Sequence, residues 1–212
     1  VRAARAAAAA VALGASSLLS CSVGEGAGEV HSDRLQAPSC LDGPYDLKPN
    51  FFASDPYRSS QTIRLQRTDD LIDNSDGVQI LVSDTARVRG QLGKPLKVGL
   101  PPEVTPPGVP ITPDPDPPLV QLTIYLHQSC HGQNIALHAV SGTITFKHLF
   151  SGDRNEDDAD DRLTEAEFSD LEVADPRDQP PAGGPVPAER RSKLRGWFRF
   201  FFERGQPAQP FP

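Results

Sequence analysis

Residues 120–127 constrain the fold more than any other stretch: Val120, Leu122, Ile124 and Leu126 are apolar, while Gln121, Thr123, Tyr125 and His127 between them carry polar atoms. Successive side chains of a strand point to opposite faces, so this period of two predicts a half-buried β-strand. It does not fit the 3.6-residue stripe of an amphipathic helix. Short alternation recurs along the chain. Ile63 and Leu65 alternate with Arg64 and Gln66, and strand-length pieces follow at 77–83, 86–92 and 95–100, with turn residues between them. Residues 69–76 join two such pieces and could hold a helical turn, and 134–139 and 142–150 continue in the same style.

Segment 162–175 admits two patterns. Leu163, Ala166 and Leu171 could line a helix, or Ala166 with Phe168 and then Leu171 with Val173 could share a strand face across an irregularity. The strand is the preferred expectation. At the end, Leu194, Gly196, Phe198, Phe200 and Phe202 alternate with Arg195, Trp197, Arg199, Phe201 and Glu203. A strand this apolar on both faces is expected in the middle of a sheet.

Prolines punctuate this pattern. Nine of the eighteen residues in 101–118 are proline, and a run with fixed φ and few amide donors cannot enter a sheet interior, which predicts a stiff polyproline-like loop. A second Pro/Gly-rich loop is expected at 176–187. With 212 residues the chain suits one compact domain plus irregular segments. Short strands, turn-rich connections and a long central excursion together predict a mainly β fold, an antiparallel β-sandwich with Greek-key-like connections. A transmembrane barrel would need eight or more tilted strands of about 10 residues with an outward apolar band, which this pattern does not supply.

Charge narrows the function. The chain has 28 acidic and 21 basic side chains, a net charge of -7. With no basic stripe to neutralise phosphates, nucleic acid is not an expected partner.

The N-terminus carries an address. Arg2 and Arg5 precede an unbroken small and apolar run from 6 to 19, the charged start and apolar core of a secretory signal peptide, shorter than the roughly 20 residues a membrane span needs. The run ends in Leu18-Leu19-Ser20-Cys21, which resembles the lipobox of bacterial lipoproteins. That resemblance implies removal of residues 1–20, acylation of Cys21 as the first mature residue and a membrane partner reached through lipid alone. Ser22, rather than Asp, follows the cysteine, which in that family implies the outer membrane, with the body in the periplasm or on the surface. With Cys21 committed to lipid, Cys40 and Cys130 remain, and in an oxidising envelope they are expected to pair, closing a loop of about 90 residues. Residues 21–39, rich in Gly, Ser, Ala and charge, are expected to form a flexible linker, and 40–212 a single β-sandwich domain. Gly142-Thr143-Ile144-Thr145-Phe146, Ala166-Glu167-Phe168 and Gly196-Trp197-Phe198 are also similar to patterns in bacterial envelope lipoproteins that have a β-sandwich body and no assigned activity.

Three constellations could carry chemistry. Asp153, Asn155, Asp157, Asp158, Asp160 and Asp161, with Glu156 among them, supply hard oxygen ligands at the density Ca²⁺ uses. An EF-hand is excluded because Asp158 and Thr164 stand where its loop needs Gly and a bidentate acid. What remains is a non-EF calcium loop, or a solvated charge run at a hairpin end. His127, Cys130 and His131, with His138 and His148 further on, outline a zinc cluster, weakened because a disulfide would consume Cys130. Trp197, Tyr125 and the aromatics of 198–202 could stack on a sugar, although such residues more often fill a core. No G-x-S-x-G, phosphate-loop or H-E-x-x-H motif occurs. The expectation is therefore a lipid-anchored envelope protein that binds or has a structural role, with an envelope protein or a glycan as partner and no catalysis. A calcium-dependent carbohydrate- or ligand-binding module and a zinc-dependent hydrolase are the alternatives.

Overall fold

The computed structural model describes residues 26–68, 74–100, 117–133, 135–180 and 185–203. The predicted leader, Cys21 and most of the proline run at 101–118 lie outside them. The first half of the chain forms β1 (Gly26–Ala37), β2 (Leu41–Leu47), β3 (Phe51–Tyr57), β4 (Ser60–Gln66) and β5 (Asp76–Val82), then the short helix α1 (Thr85–Arg89) and β6 (Pro95–Lys97). The second half forms β7 (Val120–Leu126), β8 (Ala136–Ser141), β9 (Thr143–His148), the helical turn α2 (Ala159–Arg162), β10 (Leu163–Ala174) and β11 (Ser192–Phe201).

The mainly β antiparallel expectation holds. All eleven strands belong to one sheet, ordered β2-β1-β11-β10-β8-β7-β5-β4-β3, with β9 between β10 and β6. Neighbours in the sheet are mostly neighbours in sequence, and β11 closes the path by pairing antiparallel with β1. The pairing neither divides the strands into the two sheets of a sandwich nor shows a Greek-key return. The sheet instead rolls up without closing. β2 and β3 are its two edges, yet only residues 48–50 separate them, a reach of roughly 14 Å at full extension. Phe52 of β3 stacks on Phe200 of β11, ring centroids 5.7 Å apart, which brings β3 back to the β1–β11 part of the sheet.

Rolling gives the sheet one inner face. Val30, Ile63, Leu65, Val78, Ile80, Leu122, Ile124, Leu137, Phe146, Leu171, Phe198 and Phe200 are buried there in one cluster. β7 presents the alternation expected of it, with Val120, Leu122, Ile124 and Leu126 all fully buried. β10 is a strand with a register shift between Phe168 and Leu171, and β11 lies between β10 and β1, as its apolar character predicts. β8 and β9 run as one long strand against β10, with Ser141 opposite Glu172 and Thr145 opposite Glu167. They are broken at Gly142, whose φ of 108° belongs to glycine.

Two expectations need correction. The stretch read as flexible linker contains β1, paired on one edge with β2 and on the other with β11. Its inward residues are Val30, Ser32, Leu35 and Ala37, and a register shift between Ser32 and Leu35 changes their spacing. The bulge hides the period of two that would have revealed the strand. The sheet therefore begins at Gly26 rather than at residue 40. In addition, the strand expected at 86–92 is replaced by α1, where the Asp84 carboxylate accepts the Arg87 amide as an N-cap and Val88 alone plugs the core.

Cys40, in the turn before β2, is bonded to Cys130 after β7, with Cα atoms 5.6 Å apart. A fully buried carboxylate seats the same turn: Asp76 accepts the amides of Gln128 (3.0 Å) and Ser129 (2.9 Å) and the Ser129 hydroxyl, with Arg67 at 3.4 Å. Among the described residues no helix is long and apolar enough to cross a membrane.

Candidate functional site

The outer face of β1, β11, β10 and β9 forms an open groove of about 910 Å³, within the roughly 300–1,000 Å³ usual for small-molecule sites. Trp197 stands at its centre. The residue is 47% exposed, whereas its neighbour Phe198 on the opposite face is fully buried. The parity of β11 explains the difference: Leu194, Phe198 and Phe200 face the core, so Arg195, Trp197 and Arg199 must face out.

Strand register sets the surroundings. Glu29 of β1 and Glu167 of β10 lie directly opposite Trp197 on its two sides, which places their Cβ atoms about 4.5–5.5 Å from that of the tryptophan. Arg195 and Arg199 precede and follow it on its own strand. One row further out, His31 opposes Arg195 and Asp46 opposes His31. Thr145 opposes Glu167, and Thr143 lies two residues before it.

Most of these charges compensate one another. His31 is clamped by two carboxylates, Nδ1 at 2.5 Å from Asp46 and Nε2 at 2.8 Å from Asp33. Because a carboxylate only accepts, an imidazole serving both must carry two protons. The hydrogen bond to Asp46, followed by that to Asp33, accordingly raises the His31 pKa. Asp33 is lowered by its bond to His31 and then by Arg195, whose guanidinium lies 3.1 Å away. On the other wall, Lys147 reaches Glu167 at 2.6 Å and Glu165 at 3.7 Å, and Arg199 reaches Glu165 at 3.6 Å. The bond to Glu167 raises the Lys147 pKa. Among the described residues, Glu29 and Lys48 of the groove take part in no ion pair.

The residues singled out from sequence lie elsewhere. The acidic segment forms the loop from β9 through α2 to β10, where its carboxylates turn back on their own backbone. Asp153 accepts the Asn155 amide at 2.8 Å, Glu156 the Asp158 amide at 3.1 Å, and Asp158 caps α2 by accepting the Asp160 amide at 2.8 Å. Asp161 pairs with Arg89 at 2.5 Å. Asp157 lies on the same exposed loop. Among the described residues no three His, Cys, Asp or Glu side chains gather to hold a metal ion. The zinc outline loses its sulfur because Cys130 is in the disulfide, while His138 pairs with Thr123 at 2.9 Å. Tyr125 is buried and hydrogen-bonded to Gln66 at 3.2 Å, and Phe198 and Phe200 are core. Of the aromatics considered for stacking, Trp197 is the one displayed. Sequence reasoning missed the partners Glu29, His31 and Asp46, because β1 and β2 were not recognised as strands.

In comparisons with models of known protein families, with curated proteins and with solved structures, the chain matches none.

Proposed function

We propose that this chain is a non-catalytic binding protein of the bacterial cell envelope, tethered to the outer membrane through acylated Cys21, which offers the Trp197 groove to a ligand. The observation that carries this reading is the half-exposed tryptophan amid ordered, mutually paired charges. An aromatic face displayed in a concave site among a few ordered polar groups is the pattern of a ligand pocket. Two features support the address: the run ending in Leu19-Ser20-Cys21, and a Cys40–Cys130 bond of the kind that persists in oxidising compartments. Cys21 precedes Glu29 of the groove by eight positions, at most about 28 Å of extended chain, so the tether would keep the groove close to the lipid surface.

Acrylamide quenching of Trp197, the only tryptophan in the chain, tests the reading directly. Soluble polymers and glycans released from the envelope should shield the ring in a saturable way. Undiminished quenching with every envelope fraction would overturn it.

A further inference from the structure

We infer that the groove around Trp197 recognises an uncharged pyranose saccharide, the indole stacking on one sugar face while Glu29 and Glu167 accept hydroxyl protons at its rim. This deepens, and rests on, the proposal that the groove is a binding site. A pyranose ring offers an apolar C–H face bordered by hydroxyl groups, and the groove offers the matching pattern. Its one displayed ring is flanked across both neighbouring strands by a carboxylate, with Thr143 and Thr145 beyond. An indole pairs a broad apolar surface with one polar edge, which suits a ligand that is apolar on one side and wet on the other.

The electrostatics select a neutral ligand. Lys147 and Arg199 balance Glu165 and Glu167, and His31 and Arg195 balance Asp33 and Asp46. The walls are therefore rich in oriented donors and acceptors yet offer little net field to attract an anion or a cation. A charged ligand would have to break those pairs to reach most of the walls, and the two lining residues outside them, Glu29 and Lys48, carry opposite charges. Other ligand classes fit worse. An extended peptide that adds to a sheet edge would miss the centre of the groove, where Trp197 lies on a sheet face whose backbone groups are paired with β1 and β10. A lipid chain would need a continuous apolar lining, and here Trp197 and Phe168 are the only large apolar residues.

The test uses the intact protein and its single tryptophan. Fluorescence is titrated with maltohexaose, cellohexaose and N-acetylated chitohexaose up to about 10 mM, where even a millimolar complex is largely formed. Polygalacturonate serves as the anionic comparison. The expected result is a saturable spectral shift with at least one neutral oligosaccharide and little dependence on salt. Glucan-type and amino-sugar ligands are told apart by which hexamer binds. Calorimetry on Trp197→Ala should show affinity lowered by about tenfold or more, and Glu29→Gln a smaller loss, with unchanged far-UV circular dichroism in both. Tighter, salt-sensitive binding of polygalacturonate would overturn the inference. So would no response to any neutral hexamer. In that case, shielding of Trp197 by other envelope material would leave the binding role standing, and no shielding would remove both.

Discussion

Replacing Gly142 with alanine should be among the most damaging single-methyl additions in this protein, and the structure says by how much. Gly142 joins β8 to β9 at a φ of 108°, and a Cβ built there lies 2.4 Å from the Asp170 carbonyl oxygen and 2.8 Å from the Leu171 Cα. Both atoms are backbone of β10, held next to its bulge by pairing with β8, β9 and β11, so neither can rotate away as a side-chain tip would. Holding a non-glycine residue in a sparsely populated backbone region costs about 1–3 kcal/mol, and forcing an extra methyl into a packed site costs another roughly 1–3 kcal/mol. Together they predict about 2–6 kcal/mol, a fall in Tm of roughly 4–24 °C for a domain of this size.

Gly132→Ala is the matched control. Its φ is 76° but its Cβ would meet nothing within 4 Å, leaving only the backbone cost of about 1–2 kcal/mol. The gain from a stiffer unfolded chain is common to both substitutions and cancels in the comparison. Urea unfolding followed by circular dichroism measures the difference. If Gly142→Ala is no less stable than Gly132→Ala, the close approach of β8–β9 to the β10 bulge is wrong. Because Thr143 and Thr145 follow the break, the same variant should also move the Trp197 emission maximum.

Removing the buried Asp76 carboxylate, as in Asp76→Ala, strips the acceptor from two amides, a hydroxyl and Arg67 and should cost about 3–5 kcal/mol in the same urea experiment; a loss under about 1 kcal/mol would mean that water replaces it freely. The His31 imidazole should titrate above the ordinary value of about 6.5, read from its ring proton shifts by NMR, and Asp46→Asn should bring the midpoint down. Since the folded state raises this pKa, the stabilisation His31 lends to β1 and β2 is full below about pH 6.5 and is lost as pH rises through the elevated value; a midpoint at or below 6.5 would contradict the two-carboxylate clamp. The intact mass of membrane-extracted protein, denatured and alkylated without reduction, should show a lipidated chain beginning at Cys21 with no alkyl group on Cys40 or Cys130. Cys40→Ser with Cys130→Ser should then destabilise the fold by no more than about 4–5 kcal/mol, the chain-entropy figure for so long a loop, and two alkyl groups on the native protein would refute the bond.

Strands that see the core at every second residue were legible in the sequence, because burial imposes period two wherever one face is solvated. β7 is the clearest instance, and β10 could be read with its irregularity because Phe168 and Leu171 mark the two sides of the bulge. The strands that escaped notice are those where something local breaks the period. β1 carries a bulge between its two large apolar residues. β2 and β3 contain Pro44 and Pro56, which argue against a strand from sequence alone but are tolerated here because both lie on edges of the sheet. Edge position is a property of the whole sheet and cannot be seen from a local window.

The sequence by itself determined the mainly β character and the inward faces of β7 and β11, since each follows from local periodicity. The tertiary structure decided which residues meet. It brought Phe52 of β3 onto Phe200 of β11 and set Cys40 beside Cys130. It also paired β1 and β10 with the two sides of β11, so that Glu29 and Glu167, 138 positions apart in the chain, flank one tryptophan. Register between distant strands is fixed by the summed burial of many side chains over the whole sheet, and the Trp197 groove depends on that register.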